Sequence, residues 1–445
     1  MVSAAEQLAK NANWGALAKA TELKQRLLFV LGALLVYRLG TYIPVPGIDP
    51  HIWNEIFSQK GGGILDMFNM FSGGALQRMT IFALNIMPYI SASIIMQLAT
   101  SMSPQLEAMK KEGEMGRTRI NQYTRYLTVI LATVQAYGLA VGLESMHGTS
   151  GSAVIDPGLY FRISTVITIV GGTMFLMWLG EQITARGIGN GISLIIFAGI
   201  VAELPRAIAS VLELGRQGQF SFLELLLLFS LVCGVIAFIV FMERAQRRVI
   251  VQYPKRQQGN RMMGGTSNHI PLKLNTAGVI PPIFASSLLL LPLTIVGFSG
   301  ADGGDITAMI ARYLAHGQPI YMTLYGALII FFCFFYTAVV FNPEDNAEML
   351  RKYGGFIPGI RPGKNTADYL DYILTRITTI GAFYLVFICI LPEFLISKYS
   401  MPFYFGGTSL LIVVSVTLDT VAQIHSHMIA HQYEGLIKKA KLRGR

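Results

Sequence analysis

Charge is what this sequence lacks most. Only 13% of its 445 residues are Asp, Glu, Lys or Arg, while 53% are apolar. A soluble domain usually carries about a quarter charged residues. A water-soluble core of this size cannot absorb so much apolar surface, but a bilayer can. Cysteine is also scarce. Cys233, Cys333 and Cys389 all lie in apolar runs, with neither metal-ligand spacing nor a disulfide framework. They read as small buried hydrophobes. The polar N-terminal stretch MVSAAEQLAKNANWGALAKATELKQR shows no cleavable signal pattern. The first span is therefore expected to target the chain.

Catalytic and cofactor signatures are missing too. GIRPGKN at 359–365 has three residues between its glycines rather than four, and Asn365 stands where a magnesium-binding Ser or Thr would be needed. GIGNG at 187–191 misses the dinucleotide spacing and precedes an apolar run rather than a βαβ unit. His427 and His431 are four apart but carry no HExxH pattern, so no metal is expected. No Ser/His/Asp arrangement is defensible. Charge inside the spans is sparse, with Arg38 and Asp419 the main cases, each near a span end where it can snorkel or pair. An ion-coupled transporter would need more such groups at mid-depth. No cofactor is expected, and the chain is not expected to be an enzyme.

What is present is a series of apolar runs. A helix needs about 20 mainly apolar residues to cross the hydrocarbon. Ten such runs lie near 25–43, 80–100, 123–143, 160–180, 189–208, 222–242, 275–297, 320–341, 377–396 and 404–424. They are long and continuous, unlike the short alternations of a β-barrel. With ten spans both termini share one side. Of the 35 Lys and Arg, only Lys60, Arg78, Arg206, Arg216, Arg312 and Lys398 then fall on the other side, while Arg38, Arg125 and Arg162 sit at span ends. The positive-inside rule makes the terminus side cytoplasmic.

Two predicted cytoplasmic loops, 243–273 and 342–376, are long, basic and rich in Gly or Pro. The segment 43–78 holds Pro44, Pro46 and Gly61 to Gly63, then ILDMFNMFSGG. Its apolar piece 64–72 is too short to span. It reads either as a short re-entrant helix, sheltered by protein or a water cavity, or as a loop lying on the bilayer. Five spans per half, 1–215 and 216–445, would make the halves inverted repeats, although no identity between them is visible. Ile86 and Ile90, and Ile192 and Ile196, are one helical turn apart and share a face. Ile283 follows Pro281-Pro282 and Ile412 sits mid-span. Lipid or helix contact is the ordinary role of such isoleucines. Ser91, Ser93, Gln97, Gln135 and Asn275 place neutral polar groups in spans 2, 3 and 7, where interhelical hydrogen bonds are their ordinary use.

Five long stretches carry a resemblance: MFNMFSGGALQRMTIFALNIMPYISASIIMQL (67–98), FLMWLGEQITARGIGNGISLIIFAGIV (175–201), LKLNTAGVIPPIFASS (272–287), FNPEDNAEMLRKYGGFIPGIRPG (341–363) and PFYFGGTSLLIVV (402–414). Through all ten spans in order, the chain resembles bacterial SecY, the channel family of the Sec translocon. The resemblance implies an all-α polytopic membrane protein, with ten transmembrane helices in two inverted five-helix halves around a central pore and a short re-entrant plug helix. It implies a protein-conducting channel for unfolded secretory polypeptides that also releases transmembrane segments sideways into lipid.

Residue by residue, Ile86, Ile90, Ile192, Ile196, Ile283 and Ile412 match the pore ring. Ile64, Leu65, Asp66, Met67, Phe68, Asn69, Met70, Phe71, Ser72, Gly73 and Gly74 match the plug. Spans 2, 3, 7 and 8 resemble the lateral gate, with Ser91, Gln135 and Asn275 at polar gate positions. The two cytoplasmic loops resemble docking arms for the ribosome and the SecA motor ATPase, through Arg247, Arg248, Arg256, Arg261, Pro358, Gly359 and Arg361. Implied partners are SecE-like and SecG-like subunits, SecA, ribosomal RNA, signal peptides and nascent chains, and anionic lipids. The implied location is the bacterial inner membrane. Asn85 stands where Gly is familiar in the family, Ala185 where an acidic residue is common, and Asn260 at a position often basic. Without the resemblance, a secondary transporter or an intramembrane enzyme would be the rival readings.

Overall fold

The computed structural model describes residues 21–60, 69, 72–145, 147–148, 151–218, 221–254, 256–258, 261–263, 267–298, 318–399 and 407–443. Helices stand where all ten spans are expected: α1 (Thr21–Gly40), α3 (Met87–Met102), α5 (Glu114–Ser145), α6 (Leu159–Arg186), α7 (Gly191–Arg216), α8 (Phe222–Arg244), α9 (Ile280–Phe298), α10 (Pro319–Val340), α12 (Lys364–Tyr399) and α13 (Gly407–Arg443). Three shorter helices lie between them, α2 (Pro50–Lys60), α4 (Pro104–Lys111) and α11 (Pro343–Lys352). Among the described residues, seven helices are long and apolar enough to cross a membrane, namely α5, α6, α7, α8, α10, α12 and α13. Of the others, α1 carries Glu22, Lys24, Arg26 and Arg38, α3 has only 16 residues, and the described apolar stretch of α9 is Ile280–Leu289.

The chain packs as two compact units. The first comprises 1–210, 291–312 and 412–445; the second comprises 211–290 and 313–411. In the first, Tyr37 stacks on Phe82 and Phe82 on Phe175, both with ring centroids 6.1 Å apart. Two ion pairs staple α5 to α6. Arg125 donates to both carboxylate oxygens of Glu181 at 2.8 Å. Arg162 donates twice to Oε2 of Glu144, whose Oε1 accepts the Gly158 N–H at 3.0 Å. Charge-assisted pairs of this kind are the stronger hydrogen bonds. The GIGNG turn between α6 and α7 is a joint. The Gln423 side chain accepts the Gly189 N–H at 2.8 Å, and Leu23, Ile188 and Met428 close over it.

In the second unit the expected basic loop 243–273 is largely strand. β3 (Gln246–Gln252) pairs antiparallel with β6 (Ser267–Lys273), and β4 (Arg256–Gln258) with β5 (Arg261–Met263). Two further short strands, His147–Gly148 and Gly151–Ser152, form a hairpin in the first unit. All these strands lie outside the spans. The expected loop 342–376 is also ordered, holding α11 and the first turns of α12. Phe284 meets Phe332 edge-on at 5.8 Å, and the hydroxyls of Tyr325 and Thr408 share a 2.8 Å hydrogen bond.

Three expectations need correction. Span 2 does not begin as a helix near 80, because residues 72–86 run as turns and α3 starts only at Met87. Met79 and Asn85 have φ of +44° and +49°, incompatible with a right-handed helix. Asn275 lies in a bend ahead of α9 rather than within a span. Cys233 is exposed rather than buried. It sits on α8, whose Phe222, Leu223, Leu226, Leu227 and Phe229 are also exposed, a face suited to lipid.

The backbone at Asn85 is left-handed, with φ +49°. Glycine adopts φ > 0 without penalty and asparagine tolerates it. Asn85→Ala is expected to cost about 1–2 kcal/mol, seen as a lowered thermal midpoint in detergent. Asn85→Gly should match or exceed the native midpoint. Equal midpoints for the two variants would remove this account.

Candidate channel elements: ring, anchor and docking loops

The six isoleucines lie on four helices and one helix start. Ile90 N–H donates to Ile86 O at 3.0 Å, so this pair does stand one helical turn apart although Ile86 only caps α3. Ile86, Ile90, Ile196 and Ile412 are buried; Ile192 and Ile283 are half-buried. Ile283 belongs to the second unit and the other five to the first.

Of the plug positions, Asn69, Ser72, Gly73 and Gly74 are described; Ile64 to Phe68, Met70 and Phe71 lie outside the described residues. The described end is tightly held. Gly74 N–H donates to Asn69 O at 2.9 Å, the bond that closes a helix C-terminus around a left-handed residue. Gly73 and Gly74 supply that geometry, with φ of +64° and +80°. A Cβ on Gly73 would also lie 2.9 Å from the Cα of Gly199 on α7. Tyr37 donates its hydroxyl to Ser72 O at 3.3 Å. Arg38 and Arg78 both donate to the single carbonyl of Gly73, at 2.8 and 3.3 Å. Arg78 also donates to Gly74 O and lies 3.5 Å from Glu203 of α7. Arg38, flagged in the sequence as an isolated charge, thus pairs structurally. Tyr37, Arg78 and Glu203 were missed, although Glu203 was visible as an acid inside the run 189–208.

The polar gate candidates are separate. Ser91 is buried on α3. Ser93 and Gln97 bond to one another within α3, at 3.3 Å, rather than between helices. Gln135 on α5 keeps a buried Oε1 with no hydrogen-bond partner. Asn275 donates to Glu243 at the end of α8, at 2.7 Å, and to Gly278 O at 3.0 Å. Its amide therefore secures the connection between hairpin and α9 in its own unit.

The two basic loops form one body in the second unit. Val249, Val251 and Leu272 of the hairpin base cluster with Ile357, Leu370, Ile373 and Ile377. Gln252 and Phe356 exchange backbone hydrogen bonds, both 2.9 Å. Side chains alternate along a strand, which puts Arg247 and Arg248 on opposite faces of β3; both are exposed. For Arg256 and Arg261 only the strand pairing is described, and Asn260 lies outside the described residues. Ile360 N–H bonds Ile357 O at 3.1 Å around Pro358 and Gly359, the latter with φ +84°. Proline then glycine at these places defines a type II turn, which presents the exposed Arg361.

A family model described as SecY matches residues 80–421. The protein translocase subunit SecY of Escherichia coli (strain K12) is 58% identical over 424 residues, covering 95% of this chain and 96% of that protein. Two solved structures share the fold. One is of a SecY whose plug domain is described as stabilising the closed state of the translocation channel and maintaining a membrane seal, with TM-score 0.63, 20% identity and coverage of 90% and 92% of the two chains. The other is Sec61 in a canine ribosome–channel complex from the endoplasmic reticulum, with TM-score 0.59, 19% identity and the same coverage.

The packed hairpin base gives a prediction. Leu272→Ala should open it and raise the trypsin cleavage rate at Arg247 and Arg248 by on the order of tenfold, since cleavage follows the open population. Ile250→Ala, on the outward face of β3, should leave that rate unchanged. Equal rates for both variants would discard the shared body.

Proposed function

The chain belongs to the SecY family as a multi-pass protein translocase subunit, and from that premise we propose how its parts pass a polypeptide. It is a channel component and not itself an enzyme. Ile86, Ile90, Ile192, Ile196, Ile283 and Ile412 form a gasket between two inverted halves, 1–215 and 216–445. A narrow apolar ring excludes ions because entry costs them their hydration. It yields to a threading chain because apolar contacts are non-directional. Segment 64–74 is the plug that covers the ring when idle, a reading supported by the anchored end at Ser72 to Gly74. The seam of spans 2, 3, 7 and 8, with Ser91, Gln135 and Asn275, is the lateral gate. A signal sequence opens it by exchanging helix packing for its own apolar surface.

No nucleotide site is legible in the sequence, so the driving energy comes from a SecA-type ATPase or an elongating ribosome. These dock on Arg247, Arg248, Arg256, Arg261, Pro358, Gly359 and Arg361. SecE-like and SecG-like subunits complete the assembly, and anionic lipids surround the basic cytoplasmic face. The membrane is the bacterial inner membrane, with both termini cytoplasmic by charge distribution. The observation that carries this reading is the 58% identity along nearly the whole of both chains.

Replacing Ile86, Ile192 and Ile283 together with Ser should make the idle channel leak ions in planar bilayers. A stalled secretory chain should crosslink to photoreactive residues at 86 and 283. Unchanged conductance together with no crosslink would refute the channel path. Arg361→Glu should slow motor-driven export into vesicles by roughly tenfold or more while sparing insertion of transmembrane segments. Equal export rates would remove Arg361 from the motor contact.

A further inference from the structure

Beside the Gly73 anchor lies an open cleft of about 690 Å³, lined within the first unit by the end of α1, by α2, by the 77–78 turn and by α7. Arg38, Arg78 and Arg206 line it with Tyr42 and His51, and Glu203 is the one carboxylate among its lining residues. Three guanidiniums face one acid, so the cleft carries excess positive charge. The positions are fixed rather than splayed. Arg38 and Arg78 both reach one oxygen, Gly73 O, and both lie over the Tyr42 ring, at 5.2 and 4.3 Å from its centre. Arg206 Nη1 donates to Gln77 Oε1 at 2.8 Å, and Gln77 N–H donates to Asn69 Oδ1 at 2.8 Å, tying it to the same anchor.

Like charges repel at such range, and each guanidinium has five N–H donors. The contacts above use only some of them. Arg206 makes a single described hydrogen bond through Nη1. Spare donors, spare positive charge and a cleft of this volume define a receptor for an oxyanion. Planar guanidiniums match phosphate through paired N–H bonds.

We propose that this cleft binds a phosphate-bearing anion, either a lipid headgroup or free phosphate, through Arg206 with Arg38 and Arg78. The group sits on the membrane face opposite the termini, where span 1 ends. Its charge would offset the repulsion between Arg206 and the two arginines, Arg38 and Arg78, that hold Gly73. The site stands on its own geometry, whereas its effect on channel closure rests on reading 64–74 as the plug.

The test uses the full-length chain in phosphate-free maltoside micelles at low salt. Titration calorimetry follows binding of dihexanoylphosphatidylglycerol and, separately, of inorganic phosphate. Arg206→Gln, at an exposed side chain, should leave the anion-free melting point unchanged and weaken binding by about tenfold or more. Arg206→Lys should recover part of the loss. Binding of the lipid alone assigns the source as a headgroup, and binding of phosphate alone assigns it as the free anion. Dihexanoylphosphatidylcholine, with its charge cancelled, should bind more weakly than the glycerol lipid. The proposal is overturned if neither anion binds, if Arg206→Gln leaves affinity unchanged, or if both lipids bind and bind equally. A plug leak assay that failed while this binding held would count against the plug and not against the cleft.

Discussion

Backbone inside a bilayer has no water to bond, so every N–H and C=O must find its partner in the protein. Regular helices meet this condition by themselves. Two places among the described residues where the chain departs from helix at a span entrance meet it with specific donors. In 72–86, Ile81 N–H reaches Ile43 O at 3.0 Å, Trp53 Nε1 donates to Leu76 O at 3.0 Å, and Met79 O accepts the Val45 N–H at 2.9 Å. In 274–279, Leu274 N–H finds Ala245 O at 2.9 Å and the Asn275 amide satisfies Gly278 O. Each irregular entrance is bound to the connection that packs on it. Left-handed residues and buried polar side chains therefore gather there, and so do the candidate moving parts.

The same condition governs charge. Arg125 pairs with Glu181, Arg162 with Glu144 and Arg78 with Glu203. The isoleucine positions are apolar and carry no directional bonds to break. A passage built this way can seal without coordinating anything, and so needs no bound ion or cofactor to close. It also does no work on what passes. On the proposed reading the motor lies outside the chain, and the hairpin body with Arg361 on its type II turn is where it would engage.

Much of this was legible in the residues. Hydropathy located all ten helices because the bilayer sets their length. The basic loops were legible because topology sorts Lys and Arg. The start of α3 was misjudged because 80–86 is as apolar as a helix. The positive φ values at Met79 and Asn85 stop the helix, and Met79 and Ile81 are held by backbone bonds to Val45 and Ile43. Asn275 was assigned to a span for the same reason. The Gly73 partner of Arg38 could not be read, since it lies 35 positions away and is brought near only by tertiary packing. Loop 243–273 looked irregular because its Arg-rich strand alternates weakly. Val249, Val251 and Leu272 mark the buried face once the register is known.

The anchor also constrains how a plug at 64–74 can move. Gly73 O accepts from two guanidiniums and Ser72 O from the buried Tyr37. Hydrogen bonds from charged donors contribute about 1.5–3 kcal/mol each. On the proposed reading, apolar contacts of the plug with the ring lack that directional term, and a passing chain replaces them with apolar surface of its own. Gly73 and Gly74, both at positive φ, are the residues whose backbone can turn while their carbonyls remain bound. On the proposed reading, the movement this favours is rotation about 72–74, which returns the segment to the same place once the guest has gone.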